Sequence, residues 1–371
     1  MTALSKNEPI ATLKSECLVN ERCTEPLAKI SNITYLVIKR PNIEKAAKFF
    51  VDYGLLVDHR SADTIYLRGT SEQSHCVIIE EGAASISRLG FTASEEDVKN
   101  LAAHFNLQIK AHSDPIGGQY VSLKDPNNLV LEINCNTPSL LPLKSSQEKS
   151  TPPSPWNHAG QKNRINKNVK KDIEPIVIHK LGHSLFSVAD IKETVHWYQN
   201  TLGMIVSDFQ FLENDPLPVV AFMRCDNGKD ASDHHTLGLG AAVELGHQHS
   251  AFELDTMEEI AIANDWMKQN DYKHGWGIGR HKLGSQIFDY WRDSYGDLFE
   301  HYADGDLFNN SAKTGYHLFN SDAQHQWGPD MTAEFSGINR PWRLVKSIIQ
   351  RMRSNENFSF GRLIRLAKAA T

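Results

Sequence analysis

Three residues in the second half of the chain, His183, His249 and Glu300, each interrupt a short run that otherwise reads as a buried strand. The runs are Lys180-Leu181-Gly182-His183-Ser184-Leu185-Phe186, His249-Ser250-Ala251-Phe252-Glu253-Leu254 and Asp297-Leu298-Phe299-Glu300-His301-Tyr302. Two imidazoles and one carboxylate form the facial set that holds a redox-active divalent metal and leaves coordination positions open for substrate and dioxygen. Taken singly, a histidine on an apolar strand is more often a satisfied core residue, and a buried glutamate more often an ion-pair partner. An ionised carboxylate inside a core needs a cation or donors to offset its desolvation. Three such residues in equivalent settings therefore point to a metal centre.

A second group has the chemistry of proton transfer. His235 lies in His234-His235-Thr236-Leu237, and His281 and Tyr290 lie nine residues apart in the stretch from Gly279 to Tyr290. Binding a diol as its anion and activating dioxygen both require acids and bases near neutral pKa. The plainer readings are a solvated turn for His234 and His235, following Asp230 to Asp233, and a core aromatic for Tyr290. Which imidazole of the 234–235 pair turns inward is open from sequence. His247 competes with His249, which is preferred because it begins the Phe252-containing apolar strand. Phe209, Phe211, Phe222, Trp276 and Trp291 offer aromatic surface for a pocket, although most such residues are ordinary core.

These residues are positioned by a duplicated unit. The helical segment 42–50 (Asn42-Ile43-Glu44-Lys45-Ala46-Ala47-Lys48-Phe49-Phe50) resembles 190–198 (Asp190-Ile191-Lys192-Glu193-Thr194-Val195-His196-Trp197-Tyr198), and a repeat this long means duplicated domains rather than a solenoid. The same offset sets Tyr35 opposite His183. The strand 88–92 matches 249–253 and sets Arg88 against His249, while 124–132 matches 292–300 and sets Glu132 against Glu300. The first copy keeps the pattern but has Tyr and Arg where imidazoles are needed, so it is expected to be a metal-free scaffold that packs against the second copy and shields its site.

Each copy divides again into strand, helix and further strands. Helices are expected at 42–54 and 94–105, the latter opening Ser94-Glu95-Glu96-Asp97 as an N-cap with an acidic first turn, and at 190–201 and 256–269. The predicted fold class is α+β, built from tandem βαβββ modules with cupped, mostly antiparallel sheets. The predicted organisation is an N-terminal extension over 1–29, a first domain over 30–136, a linker over 137–175, a catalytic domain over 176–310 and a C-terminal extension over 311–371. The linker is rich in Pro, Ser, Lys and Asn and cannot form its own core, though Trp156 offers it an anchor.

The 371 residues are 40% hydrophobic and 23% charged, the range of globular proteins, and leave room for roughly two domains. A net charge of −6 gives no basic surplus for neutralising phosphates, which argues against nucleic acid as a partner. No stretch approaches the ~20 apolar residues of a membrane span, and the N-terminus lacks a signal-peptide core, so a cytoplasmic location is expected. Five irregularly spaced cysteines suggest neither a disulfide framework nor a zinc knuckle.

The stretch from Gly279-Arg280-His281 through Tyr290 and Asp293-Ser294-Tyr295-Gly296 to Glu300-His301-Tyr302 resembles the signature of the type I extradiol catechol dioxygenases, in the vicinal oxygen chelate superfamily. The resemblance covers roughly residues 30–136 and 176–306. It implies that His183, His249 and Glu300 are the metal ligands, with iron(II) first and manganese(II) second. It also implies that His235 is the acid–base residue and that His281 and Tyr290 hydrogen-bond or deprotonate the catecholic hydroxyls. The implied activity is cleavage of an aromatic ring beside its two hydroxyls, with both oxygen atoms incorporated, in the catabolism of aromatic compounds. The implied partners are a catecholic small molecule and O2, in a homo-oligomer. Two departures stand out: Ser294 replaces the usual Pro, and Asp289 precedes Tyr290 where an apolar residue is usual. The rival readings are a glyoxalase-like isomerase or lyase and a ligand-sequestering protein of the same fold.

Residues 340–371 carry eight Lys or Arg against the single acid Glu356. Apolar residues at Leu344, Val345, Ile348 and Ile349, then at Leu363, Ile364 and Leu366, suggest two short amphipathic helices. Docking onto the acidic body of the protein or onto another subunit is the expected role, with a membrane-surface role as the alternative.

Overall fold

Each expected helix forms where a side chain caps its start. The Asn42, Ser94, Asp190 and Thr256 side chains accept from the backbone N–H three residues on, opening α2 (Ile43–Asp52), α3 (Glu95–Phe105), α4 (Ile191–Leu202) and α5 (Met257–Gln269). The computed structural model describes residues 8–143, 157, 159–166, 175–242, 245–320, 324–331, 335 and 360–369. Within these, α1 (Glu8–Glu16) precedes the repeats and α6 (Phe360–Ala369) is the last described element. Trp156 and the apolar positions 344–349 lie outside the described residues, as does most of the expected linker.

The first half supplies β1 (Ile30–Arg40), β2 (Leu56–Arg60), β3 (Thr64–Arg68), β4 (Val77–Glu81), β5 (Ser85–Ala93), β6 (Lys110–Ala111), β7 (Gln119–Lys124) and β8 (Val130–Cys135). The second half supplies β9 (Leu181–Val188), β10 (Ile205–Phe211), β11 (Pro218–Arg224), β12 (Ser232–Asp233), β13 (Leu237–Ala241), β14 (Gly246–Glu253), β15 (Lys273–His281), β16 (Ile287–Arg292), β17 (Leu298–Ala303) and β18 (Leu307–Phe308). Beyond them come β19 (Gly315–Leu318) and β20 (His325–Trp327).

The sheet orders show the duplication directly. The first sheet runs β2-β3-β4-β1-β5-β8-β7-β6, and the second runs β19-β10-β11-β13-β9-β14-β17-β16-β15-β20, with β12 and β18 pairing separately. In each, two modules of strand, helix and three strands meet through an antiparallel pair of their first strands, β1 with β5 and β9 with β14. Each first strand also runs parallel to the last strand of its own module. Register shifts in β1–β5 and β14–β9 bend the sheets where the modules join. The α+β class with mostly antiparallel sheets holds as predicted. Residues 315–318 and 325–327, expected to lie in the extension, instead add edge strands to the second sheet.

One hydrophobic core runs through both halves. Phe49 and Phe50 of α2 and Tyr53, just past its end, pack on Phe299 and His301 of β17. The Tyr53 and His301 rings stack with centroids 3.7 Å apart, and His301 Nε2 donates to the Tyr53 carbonyl at 2.7 Å. Because side chains alternate along a strand, these contacts fall on the face of β17 opposite Glu300. The first half thus braces the second sheet from behind. None of the cavity-lining residues among those described comes from it, which corrects the expectation that it shields the site.

Candidate metal centre

Strand register brings the three candidate ligands together. Ala251 of β14 pairs with His183 of β9 on one side and with Glu300 of β17 on the other. His249, two residues before Ala251, shares its face of the strand, and the small Ala251 side chain does not intervene. The His183 Nε2 and His249 Nε2 atoms each lie 3.3 Å from Glu300 Oε2, and ligand atoms from all three residues fall within 4.8 Å of one another. Ligands ~2.1 Å from one ion at right angles stand ~3 Å apart, close to these separations.

The surroundings of Glu300 call for a cation. It is fully buried, and among the described residues neither carboxylate oxygen has a hydrogen-bond partner. Burial opposes its ionisation, yet the imidazoles of His183, His281 and His249 outweigh that and hold its carboxyl below the usual range. Burial, only partly opposed by Glu300, pushes His249 down to about 3, which leaves its nitrogen lone pair free for a metal at neutral pH. The donor set fits a divalent metal. His247 does not join: its Nε2 lies 2.8 Å from Ser250 Oγ, and its ring packs on Phe186 and Phe299.

A cavity of about 280 Å³ opens beside the cluster, just below the ~300–1,000 Å³ range of small-molecule sites. His183, His249, Glu300, His235, His281 and Tyr290 all line it. His235 is the inward member of its pair, its ring centroid 4.1 Å from that of His183, whereas His234 turns back toward Asp208. His281 donates from Nδ1 to the Gln324 carbonyl at 2.9 Å, so its Nε2 carries the lone pair that accepts the Tyr290 hydroxyl at 3.0 Å. Phe222 and Trp276 line the cavity, while Phe209, Phe211 and Trp291 belong to the core. Sequence reasoning missed Leu283, Phe319 and Met331 in the wall, where nothing in their local pattern marks a pocket.

Both departures from the signature have a local explanation. Asp289 accepts from Asn264, His274 and Trp291, behind the strand that presents Tyr290 to the cavity. In the turn that lacks proline, Asp293 Oδ1 accepts from the N–H groups of Tyr295 and Asp297 at 2.9 and 3.0 Å. Asp125 of the first half makes the same pair of bonds to Asn127 and Leu129. The side-chain cap fixes the turn, and proline is dispensable.

The first half preserves the site's geometry with its chemistry replaced. Tyr35 donates to Glu132 at 2.9 Å, and Arg88 Nε lies 3.0 Å from the other oxygen of the same carboxylate. A guanidinium stands there in the role a metal ion would take.

Comparison with known proteins agrees with this geometry. Residues 180–300 match the model of the Glyoxalase/Bleomycin resistance protein/Dioxygenase superfamily. The matched stretch contains all three candidate ligands, His183, His249 and Glu300. A curated relative, metapyrocatechase 2 of Cupriavidus necator, is 25% identical over 327 residues, covering 85% of this chain and 96% of its own length. Homoprotocatechuate 2,3-dioxygenase from Brevibacterium fuscum, solved as an anaerobic complex with 3,4-dihydroxyphenylacetate, superposes with a TM-score of 0.69 at 18% identity, over 85% of this chain and 94% of that one. A Mn(II)-bound glyoxalase from Novosphingobium aromaticivorans superposes with a TM-score of 0.67 at 17% identity, covering 82% and 92%. The metapyrocatechase relative is in keeping with the resemblance of the signature residues to those of the type I extradiol dioxygenases.

Proposed function

We propose that the protein is a metal-dependent extradiol dioxygenase that opens a catechol-type ring next to its two hydroxyls, inserting both atoms of O2, in the breakdown of aromatic compounds. The observation that carries this reading is the convergence of six side chains on one cavity: two imidazoles and a carboxylate in ligand geometry, with His235, His281 and Tyr290 around them. A glyoxalase-like isomerase uses a comparable ligand set but has no need of the second trio.

His183, His249 and Glu300 would hold the ion, which we assign as iron(II), with manganese(II) as the alternative. When bound, the metal supplies charge stabilisation and an electronic link between diol and dioxygen. The protein's own part is orientation and proton handling. The Tyr290 hydroxyl donates a hydrogen bond to His281 and keeps phenolic lone pairs toward the cavity, placed to accept from a diol hydroxyl. Burial, reinforced by Glu300, raises the Tyr290 pKa far above the ordinary value, so it acts as a neutral phenol. Burial and the surrounding imidazoles push His235 well below the ordinary histidine range, so it enters the reaction as a neutral base. Trp276 stacks on Tyr290 and confines it to one orientation.

The test is oxygen uptake with a panel of catechols, read together with the appearance of a yellow ring-opened product. Consumption of one O2 per diol with that product is expected. Turnover of a diol or thiol adduct without oxygen uptake would point to the isomerase instead.

A further inference from the structure

The cavity base His235 is the inner end of a buried chain of polar groups. Its Nδ1 lies 3.0 Å from His234 Nδ1, His234 Nε2 lies 2.6 Å from Asp208 Oδ2, and Asp208 Oδ1 lies 2.8 Å from His317 Nε2. Asp208, His234 and His235 are all buried, and only the His317 side chain, 37% exposed, reaches solvent. The surrounding backbone is shaped for the chain. A Cβ at Gly315 would collide with the Asp208 carboxylate and His317, and one at Gly284, where φ is +77°, would press on the His234 ring.

Hydrogen-bond logic sets the protons. Asp208 is an acceptor on both oxygens, so His234 and His317 each donate from Nε2. Burial raises the Asp208 pKa, but these two bonds outweigh it and keep the carboxylate ionised. Protonated at Nε2 alone, His234 presents a lone pair at Nδ1, and His235 then donates there from its own Nδ1. That leaves His235 Nε2 unprotonated.

Resting on the reading of His235 as the acid–base residue, we propose that Asp208 and His234 are positioning residues that lock His235 in the Nδ1–H tautomer, with its basic Nε2 directed to the cavity. The proton that Nε2 accepts from a diol hydroxyl is the one it later returns to the developing product, so the cycle closes without net proton loss. The imidazolium present in between is stabilised through His234 by the Asp208 anion. The arrangement parallels the carboxylate–imidazole pair of a Ser-His-Asp triad, with a second imidazole inserted.

The experiment combines tautomer and rate. Nitrogen-15 NMR of the full chain loaded with diamagnetic zinc(II) reads which ring nitrogens of His234 and His235 carry protons. The expected result is Nε2–H for His234 and Nδ1–H for His235; Nε2–H on His235 overturns the proposal, whatever the variants do. Asp208→Asn presents an amide donor to His234 and should invert both tautomers. It is expected to lower kcat by about 10²- to 10⁴-fold with KM and bound metal unchanged, while Asp208→Glu recovers part of the loss. His235→Gln separates the two readings. If it leaves kcat unchanged, His235 is not the base. If it lowers kcat while Asp208→Asn changes neither kcat nor the tautomers, the base stands and the relay falls.

Discussion

Arg40, the last residue of β1, grips Asp293 across the seam between the two halves, with its Nη2 and Nε at 2.7 and 3.1 Å from the same carboxylate oxygen. The same guanidinium reaches Asp297 at 2.5 Å and lies 5.0 Å from the Tyr295 ring centre. Those residues form the turn that leads into β17 and Glu300. The guanidinium of one repeat therefore sets the start of the strand that carries the carboxylate of the other.

Removing that cation should be costly. Arg40 is fully buried and Asp293 nearly so, and stripping one partner from a buried pair leaves an uncompensated charge. Arg40→Met is expected to lose about 3–5 kcal/mol in urea unfolding at pH 7, with a smaller loss when Asp293→Asn is added. A loss below about 1 kcal/mol would show that the clasp is not what seats the turn.

Acid should weaken the fold through His301. Burial, opposed by its bond to the Tyr53 carbonyl and by Glu300, pushes this histidine down to about 4, against ~6.5 in an unfolded chain. Between those values the unfolded chain holds a proton that the folded one refuses. The contribution is therefore fully present above pH ~6.5 and declines by about 1.4 kcal/mol per pH unit as pH falls toward 4. Unfolding free energies measured across this window should show a shallower slope for His301→Gln by about one proton.

Metal retention and catalysis should separate. His249→Ala is expected to abolish both bound metal, by elemental analysis, and turnover. His235→Gln should keep the metal while turnover falls by about 10²- to 10⁴-fold. Wild-type rates in the second variant would remove His235 from its assigned role.

The C-terminal helix should govern substrate affinity. Arg362 and Arg365 both pair with Asp215 at 3.0 Å, and Leu366 reaches the cavity wall. Leu366→Ala is expected to raise KM about 3- to 10-fold with little change in kcat, the worth of ~1 kcal/mol of apolar contact. Asp215→Asn should act in the same direction, and an unchanged KM in both would mean that the helix is not part of the pocket.

The sequence was most informative where the physics is local. The helices expected at 42–54, 94–105, 190–201 and 256–269 fell within about two residues of their observed ends, where Asn42, Ser94, Asp190 and Thr256 cap them. The strand carboxylate Glu300 announced itself because a charge in an apolar run demands a partner. Asp208, on the buried strand Ile205–Phe211, gives the same signal and went unread.

What the chain's order alone determined was the inventory: two copies of one folding unit, one with imidazoles at the ligand positions and one with Tyr35 and Arg88. Tertiary structure decided how that inventory is used. Whether His234 or His235 faces the cavity depends on Asp208, 26 residues earlier, and whether a basic tail binds elsewhere or closes the pocket depends on Asp215, about 150 residues earlier. Hydrogen bonds and ion pairs act over a few ångströms regardless of separation along the chain, so their outcome is fixed only once the fold has brought the partners together.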